Sequence, residues 1–331
     1  MMSIKLLVVL VFSIATWLKS DANTHFDNAG KIKALHLVLG STTPSDIYTR
    51  IELASKAGFD TVVLGLRDAL PSNKHVCSWC NSSWTDHDFV KLKLLSESLS
   101  ISLIPEVKLL TKVKKLPLDI NSSMLLNAHT YDPADDNVYR LVFDYLDEII
   151  ETLNPKAIHI GHDELAGYSN ISTNHTGIGT SEALSADMFL KDILILHEYL
   201  KDKGIEVWMW GDMLIAKEEF VDMEPLYLHG DLPGYGATLR GRIPKSIVIC
   251  DWHYSGKMTE FPTIDAFKNE GFKVVGVTWK HRSFIERFTQ YAIRNDADGM
   301  MASTWWHVQK KEWGIVDRII IDSGLIFNKL F

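Results

Sequence analysis

The sequence predicts a single-domain (β/α)8 barrel, and three observations carry that expectation. Eight short β-branched runs alternate with longer amphipathic stretches from about residue 30 to the end of the chain. No low-complexity linker or shift in composition divides that stretch. With 331 residues, 46% apolar and 23% charged, the chain is long and apolar enough to bury a full-sized core. An open doubly wound sheet is the alternative. Its G-x-G-x-x-G turn is missing after the first run, where Leu39-Gly40-Ser41-Thr42-Thr43-Pro44 offers one glycine.

The elements follow in order. Lys5 precedes an apolar run, Leu6 to Leu18, and small residues stand at Ser20 and Ala22, so residues 1–22 read as an export signal. The run is shorter than the ~20 residues that span a bilayer, so cleavage is expected rather than retention as an anchor. The mature protein is then secreted or periplasmic, has no membrane span, and carries its barrel over residues 30–331. The predicted strands are Lys33–Leu39, Asp60–Leu66, Ile101–Val107, Lys156–Gly161, Ile205–Trp210, Ser246–Asp251, Phe272–Thr278 and Asp298–Thr304. Helical periodicity covers Ser45–Lys56, Thr85–Leu99, Ala134–Leu153, Ser185–Lys203 and His281–Arg294. Asp132-Pro133 is the expected cap of the third of these, and Gly58 and Gly204 are the expected left-handed stops of two others.

Composition narrows the partners. Forty-two acidic against 34 basic side chains give a net charge of −8, which disfavours nucleic acid and anionic membrane surfaces. Ten Trp, 14 Phe and 10 Tyr exceed what a core needs, so some rings are expected to line a ligand cleft, with sugar as one natural occupant. Sequons at Asn81, Asn121, Asn170 and Asn174 fit an exported surface. Cys77-x-x-Cys80 fits a loop-pinning disulfide, half of a zinc site or a redox pair; no second C-x-x-C or H-x-x-x-H supplies further zinc ligands, the disulfide is the expected reading, and Cys250 is left over. No metal or cofactor is called for, and nothing in the sequence sets the oligomeric state.

In a barrel the reactive groups belong just past the C-terminal ends of several strands. The fourth run ends in His159-Ile160-Gly161-His162-Asp163-Glu164. Adjacent carboxylates repel, and each raises the other's pKa, a perturbation suited to a proton donor. Glu164 is therefore the candidate general acid of a glycosidase, kept protonated by its neighbouring anion and an apolar wall. The bland alternative has Asp163 capping the next element and Glu164 solvated.

This run resembles the H-x-G-G/A-D-E motif of glycoside hydrolase family 20, the β-N-acetylhexosaminidases. The resemblance extends to Ile104-Pro105-Glu106 at the third strand, Leu126-Asn127 to Tyr139, Trp208-Met209-Trp210-Gly211-Asp212 at the fifth and Thr304-Trp305-Trp306 at the eighth, most of the mature chain. It implies a (β/α)8 catalytic domain and substrate-assisted cleavage of terminal N-acetylhexosamine, in which the sugar's acetamido oxygen attacks C1. Carried over residue by residue, Glu164 is acid and then base, Asp163 holds the acetamido nitrogen, and Tyr254 contacts the acetamido oxygen. His159, His162, Trp210, Asp212, Trp252, Trp279 and Trp305 are the expected substrate-binding residues. Independently, the seventh run ends Val277-Thr278-Trp279-Lys280-His281 without the carboxylate that two-carboxylate retaining barrels place there, which fits a nucleophile supplied by the substrate.

The chain also departs from the family pattern. The first strand lacks the Arg that grips sugar hydroxyls, Val107-Lys108-Leu109-Leu110-Thr111 stands in place of D-x-P-G-H, and Trp305-Trp306-His307 in place of W-x-E. The family's accessory N-terminal domain is also expected to be absent. His129 and His162 are the candidates to orient Glu164 instead, against the commoner case in which a lone histidine is simply satisfied in place. Two other classes stay open: a metal-dependent hydrolase using His159, His162 and Asp163, and a sugar-binding barrel without turnover.

Overall fold

The computed structural model describes residues 30–67, 69, 84–165, 184–254 and 256–331. Its strands are β1 (Ile32–Val38), β2 (Thr61–Gly65), β3 (Ser102–Leu109), β4 (Ala157–Gly161), β5 (Glu206–Trp210), β6 (Val248–Trp252), β7 (Lys273–Thr278) and β8 (Gly299–Ser303). They pair in chain order, all parallel, and β8 returns to β1 to close a barrel. The helices among the described residues are α1 (Pro44–Lys56), α2 (Asp86–Ser98), α3 (Asp136–Leu153), α4 (Ala186–Asp202), α5 (Ala237–Arg240), α6 (Pro262–Asn269), α7 (Arg282–Arg294), α8 (Trp305–Gln309) and α9 (Trp313–Leu330). None is long and apolar enough to cross a membrane.

Strand alternation divides the core in two. Inward-facing Ala34, Val63, Ile104, Ala157, Trp208, Val275 and Met301 fill the barrel, while Leu35, Leu37, Ile158, Ile160 and Ile249 pack outward under the helices. α3 shows why the helices seat there. Val138, Val142, Tyr145, Leu146, Ile149 and Leu153 recur every three or four residues and are buried, each contributing about 1.5–3 kcal/mol for a large aliphatic or aromatic side chain. Thr43 with Asp46 and Thr85 with Asp88 form reciprocal capping boxes that start α1 and α2.

Gly58 (φ +84°) and Gly204 (φ +73°) adopt the left-handed conformation expected of them. The expected cap at Asp132 is corrected. Asp135 caps α3, accepting from the Asn137 N–H, whereas Asp132 accepts from the Ala134 N–H and so holds the turn ahead of the helix. β3 runs two residues past its predicted end, and its pairing with β4 shifts register between Glu106 and Leu109. That extension keeps Lys108 in the strand, on the same face as Glu106. Cys77, Cys80 and three of the sequons lie outside the described residues; Asn121 caps a short 3-10 turn, and Cys250 is a buried thiol inside the barrel.

Candidate active site

The turn that leaves β4 is the most constrained stretch of the rim. Gly161, His162 and Glu164 all have positive φ, at +84°, +67° and +45°. A Cβ on Gly161 would stand 2.9 Å from the Val107 carbonyl oxygen, so only glycine lets β4 bend so close to β3. The two side-chain-bearing residues in this conformation cost about 1–3 kcal/mol each, which surrounding bonds must offset. They do. The Glu164 N–H donates to Asp212 Oδ2 at 2.8 Å, and the His162 ring bonds the Ile160 carbonyl through Nδ1 (3.2 Å) and Asp192 through Nε2 (2.8 Å). Asp192, on α4, also accepts from the hydroxyls of Tyr131 and Tyr139. His162 thus anchors the turn to the helical layer behind it, which corrects its expected place among the substrate-binding residues.

Beneath the rim lies a buried charged floor. Glu106 on β3 accepts from Lys108 Nζ at 2.6 Å and Trp210 Nε1 at 3.0 Å through Oε1, and meets His36 Nε2 at 3.0 Å through Oε2. Gly65 on the neighbouring strand makes room, since a Cβ there would lie 2.8 Å from Oε2. Burial alone raises the Glu106 carboxyl, but Lys108 and His36 hold it well below the usual carboxylate range. Lys108 reaches on to Asp163 at 3.6 Å and lies over the rings of Trp210 and Trp305. Burial lowers this ammonium, and the carboxylates Asp163 and Glu106 more than reverse that. His159, fully buried against Trp210, is pushed down to about 3 by burial and is neutral; its Nδ1 accepts the Gly161 N–H. His159 and Trp210 therefore belong to the floor under Asp163.

The outer carboxylate has its own setting. Glu164 Oε2 meets Lys112 Nζ at 3.0 Å, with Glu164 37% exposed and Lys112 18%. Burial raises the Glu164 carboxyl, Lys112 lowers it, Asp163 raises it and His229 lowers it, and the balance falls below the ordinary glutamate value. The expectation that Asp163 and an apolar wall keep Glu164 protonated is thus corrected: the cation across the rim outweighs the anion beside it. His162 spends its ring nitrogens on the Ile160 carbonyl and Asp192 rather than on the Glu164 carboxylate. Behind it, Asp212 binds His229 Nδ1 at 2.7 Å and Trp252 Nε1 at 3.2 Å. Burial lowers the His229 imidazole, and its bond to Asp212 more than compensates, so its pKa rises.

Aromatic rings complete the mouth. Tyr254 stacks on Trp252 (centroids 5.3 Å apart), packs edge-on to Trp279 at 5.7 Å and accepts a hydrogen bond from Trp305 Nε1 at 2.9 Å. Trp305, at φ +41°, follows Thr304, whose hydroxyl ties β8 to the His36 carbonyl across the barrel seam. Asp163, Glu164, Asp212, Trp252, Tyr254, Trp279 and Trp305 thereby gather at the C-terminal ends of β4 to β8. His159, His162 and Asp163 do not converge as a metal set, since one ring sits inside the barrel and the other faces α4; among the described residues no cluster of metal-ligating side chains occurs.

Sequence reasoning missed Lys108, Lys112, His229 and Asp192. Lys108 was legible in part, because it stands two positions from Glu106 on one strand and so shares its face.

Fold and rim together define a class: a (β/α)8 barrel with an acid pair after its fourth strand and aromatic walls from its sixth to eighth. Among solved structures it is similar to dispersin B, with TM-score 0.61 and 15% identity over 90% of this chain and 98% of that one. It is similar also to the tandem GH20 catalytic modules of the pneumococcal exo-β-D-N-acetylglucosaminidase StrH (0.62 and 15%, covering 91% and 85%). A third is the β-N-acetylhexosaminidase from Bacteroides fragilis NCTC 9343 (0.60 and 14%), of which the chain covers 88% of itself but 65%, just under two thirds, of that enzyme. At these identities the likeness is one of fold, and the barrel fold of GH20 modules is the fold of this chain. No family model matches the sequence, and no curated protein does.

Proposed function

We propose that the chain is an exported, retaining exo-glycosidase that removes terminal β-linked N-acetylhexosamine, GlcNAc or GalNAc, by substrate-assisted catalysis. The observation that carries this reading is the pair Asp163 and Glu164, held by a strained turn on the rim of β4, together with a β7 that is followed by Trp279 and Lys280 rather than a second carboxylate. The rim's other acids support it. Glu106 is buried and tied to three partners, and Asp212 accepts from three donors, so neither is placed to attack C1.

In this mechanism protonated Glu164 donates to the glycosidic oxygen, the C1–O bond breaks with its electron pair leaving on that oxygen, and the acetamido oxygen bonds to C1. Asp163 accepts from the amide N–H and balances the positive charge of the oxazolinium. Tyr254 donates its hydroxyl proton to the acetamido oxygen, while Trp252, Trp279 and Trp305 wall the ring. Glu164, now a carboxylate, takes a proton from water, whose oxygen attacks C1 and reopens the five-membered ring with net retention.

Aryl β-N-acetylglucosaminide and β-N-acetylgalactosaminide test the proposal with wild type, Asp163→Asn and Glu164→Gln. Turnover is expected in wild type and lost in both variants, with inhibition by a thiazoline analogue and indifference to EDTA. Equal cleavage of plain β-glucosides overturns the assisted mechanism. The ion pair on Glu164 supports one second reading, a sugar-binding barrel without turnover; ligand binding unchanged by Glu164→Gln, with no hydrolysis by wild type, identifies it. Export is checked by the N-terminal residue of the secreted protein, expected near residue 23.

A further inference from the structure

Two lysines approach the acid pair, and they differ in freedom. Lys108 is enclosed, with Nζ at 2.6 Å from Glu106 and 3.6 Å from Asp163. Lys112 follows β3 at the lip, partly open to solvent, and its Nζ bonds Glu164 Oε2 at 3.0 Å and approaches the Glu164 carbonyl oxygen at 3.4 Å. Its flexible stem can swing to another anion, whereas the Glu164 backbone is fixed through Asp212.

We propose that Lys112 makes this site selective for a leaving group that carries a negative charge: an anion on the departing sugar takes over the Lys112 ammonium and frees Glu164 to serve as proton donor. The inference rests on the hexosaminidase reading above and names its substrate class, amino sugars β-linked to an acidic aglycone. A donor oxygen beside an ammonium gives up its proton to solvent more readily, so the acid step is faster when that ammonium is paired elsewhere. Hydroxyls of a neutral sugar do not replace a carboxylate partner; a uronate does. The cation lies on the carboxylate that protonates the scissile oxygen, which puts it on the leaving group's side, while Asp163, on the acetamido side, keeps Lys108. When the aglycone binds, Glu164 gains one proton from solvent and Lys112 keeps its own.

The charged and titratable groups facing Glu164 among the described residues are Lys112 after β3, Asp163 on the β4 turn, Asp212 and His229 after β5, and Tyr254 after β6, with Lys108 one layer below. Among these described groups Lys112 is the nearest cation to the carboxylate and the most open to exchange of partners.

The test compares β-N-acetylglucosaminyl-(1→4)-glucuronic acid with β-N-acetylglucosaminyl-(1→4)-glucose, which differ in a carboxylate against a hydroxymethyl group. Wild type is expected to favour the acidic disaccharide about tenfold in kcat/KM, the scale of one charge-assisted pair. Lys112→Arg retains the preference. Lys112→Met brings the two substrates to parity, and the high-pH limb of its kcat/KM on the neutral one moves upward. An equal ratio in wild type and Lys112→Met, or a wild-type preference for the neutral sugar, overturns the inference and leaves the hexosaminidase reading standing. If wild type cleaves neither, that reading falls. Calorimetric titration with the uncleavable S-linked analogues then judges the charge selection by itself: tighter binding of the acidic one, lost in Lys112→Met, supports it, and equal affinities reject it.

Discussion

Replacing Asp212 by Asn isolates the bond set that holds the turn after β4. The carboxylate is 1% exposed and accepts from the Glu164 N–H, His229 Nδ1 and Trp252 Nε1 at 2.8, 2.7 and 3.2 Å. An amide of the same shape has one acceptor oxygen. Whichever way it is turned, its NH2 faces a donor: the Glu164 N–H in one orientation, the Trp252 indole in the other. One orphaned donor costs about 1–3 kcal/mol, and loss of the buried charge partner of His229 brings the total to about 3–4 kcal/mol.

The pH dependence gives the sign. His229 has a raised pKa in the folded protein, so its pair with Asp212 stabilises fully below the unfolded histidine value of about 6.5 and loses that share as pH rises through the folded value. Urea unfolding of wild type and Asp212→Asn at a series of pH values is therefore expected to show the largest gap near pH 6, narrowing toward pH 9. A gap that widens with pH, or a variant as stable as wild type, refutes the reasoning.

Three further outcomes follow from the same geometry. Glu106→Gln takes from the Lys108 ammonium the nearer of its two carboxylates, leaving Asp163 at 3.6 Å, and is expected to cost about 3 kcal/mol at pH 7 by chemical unfolding. Because the Glu106 carboxyl is depressed in the folded state, its contribution is present above the unfolded glutamate value of about 4.3 and is lost as pH falls through the folded one, so the gap closes in acid. Gly161→Ala, at φ +84°, is expected to lose about 1–3 kcal/mol in a thermal or urea melt and to lower kcat by displacing the β4 turn. Asp192→Asn, which weakens the knot of His162, Tyr131 and Tyr139, is expected to cost about 2 kcal/mol and to lower kcat more than it raises KM.

The barrel was legible because its signal is local. β-branched runs and the stops at Gly58 and Gly204 set strand ends within a residue or two, and the acid pair stood at the end of one run. β3 was the exception: Lys108 and Leu109 continue the strand through a register shift that depends on how it meets β4. The placement of the candidate residues was legible where a side chain stands at its own strand end, as with Asp163, Glu164 and the ring of Tyr254. It was not where partners come from separate turns. His229 reaches Asp212 from a loop with no motif, Asp192 reaches His162 from a helix, and Lys112 reaches Glu164 from beyond β3. The direction of the Glu164 pKa was misread for that reason, since adjacency in sequence reveals the repelling neighbour and conceals the attracting one.

The Thr304 hydroxyl bond to the His36 carbonyl joins residues 268 positions apart. While the chain is being synthesised, seven strands must wait as an open curved sheet, with two unpaired margins, until the eighth emerges to stitch them together. The surroundings of the acid pair, with His36 of the floor on the first strand and Trp305 of the wall just past the last, are thus among the final parts of the molecule to take shape. A nascent or clipped protein without that last stave keeps both residues of the acid pair and lacks the Trp305 ring that meets Lys108 and Tyr254.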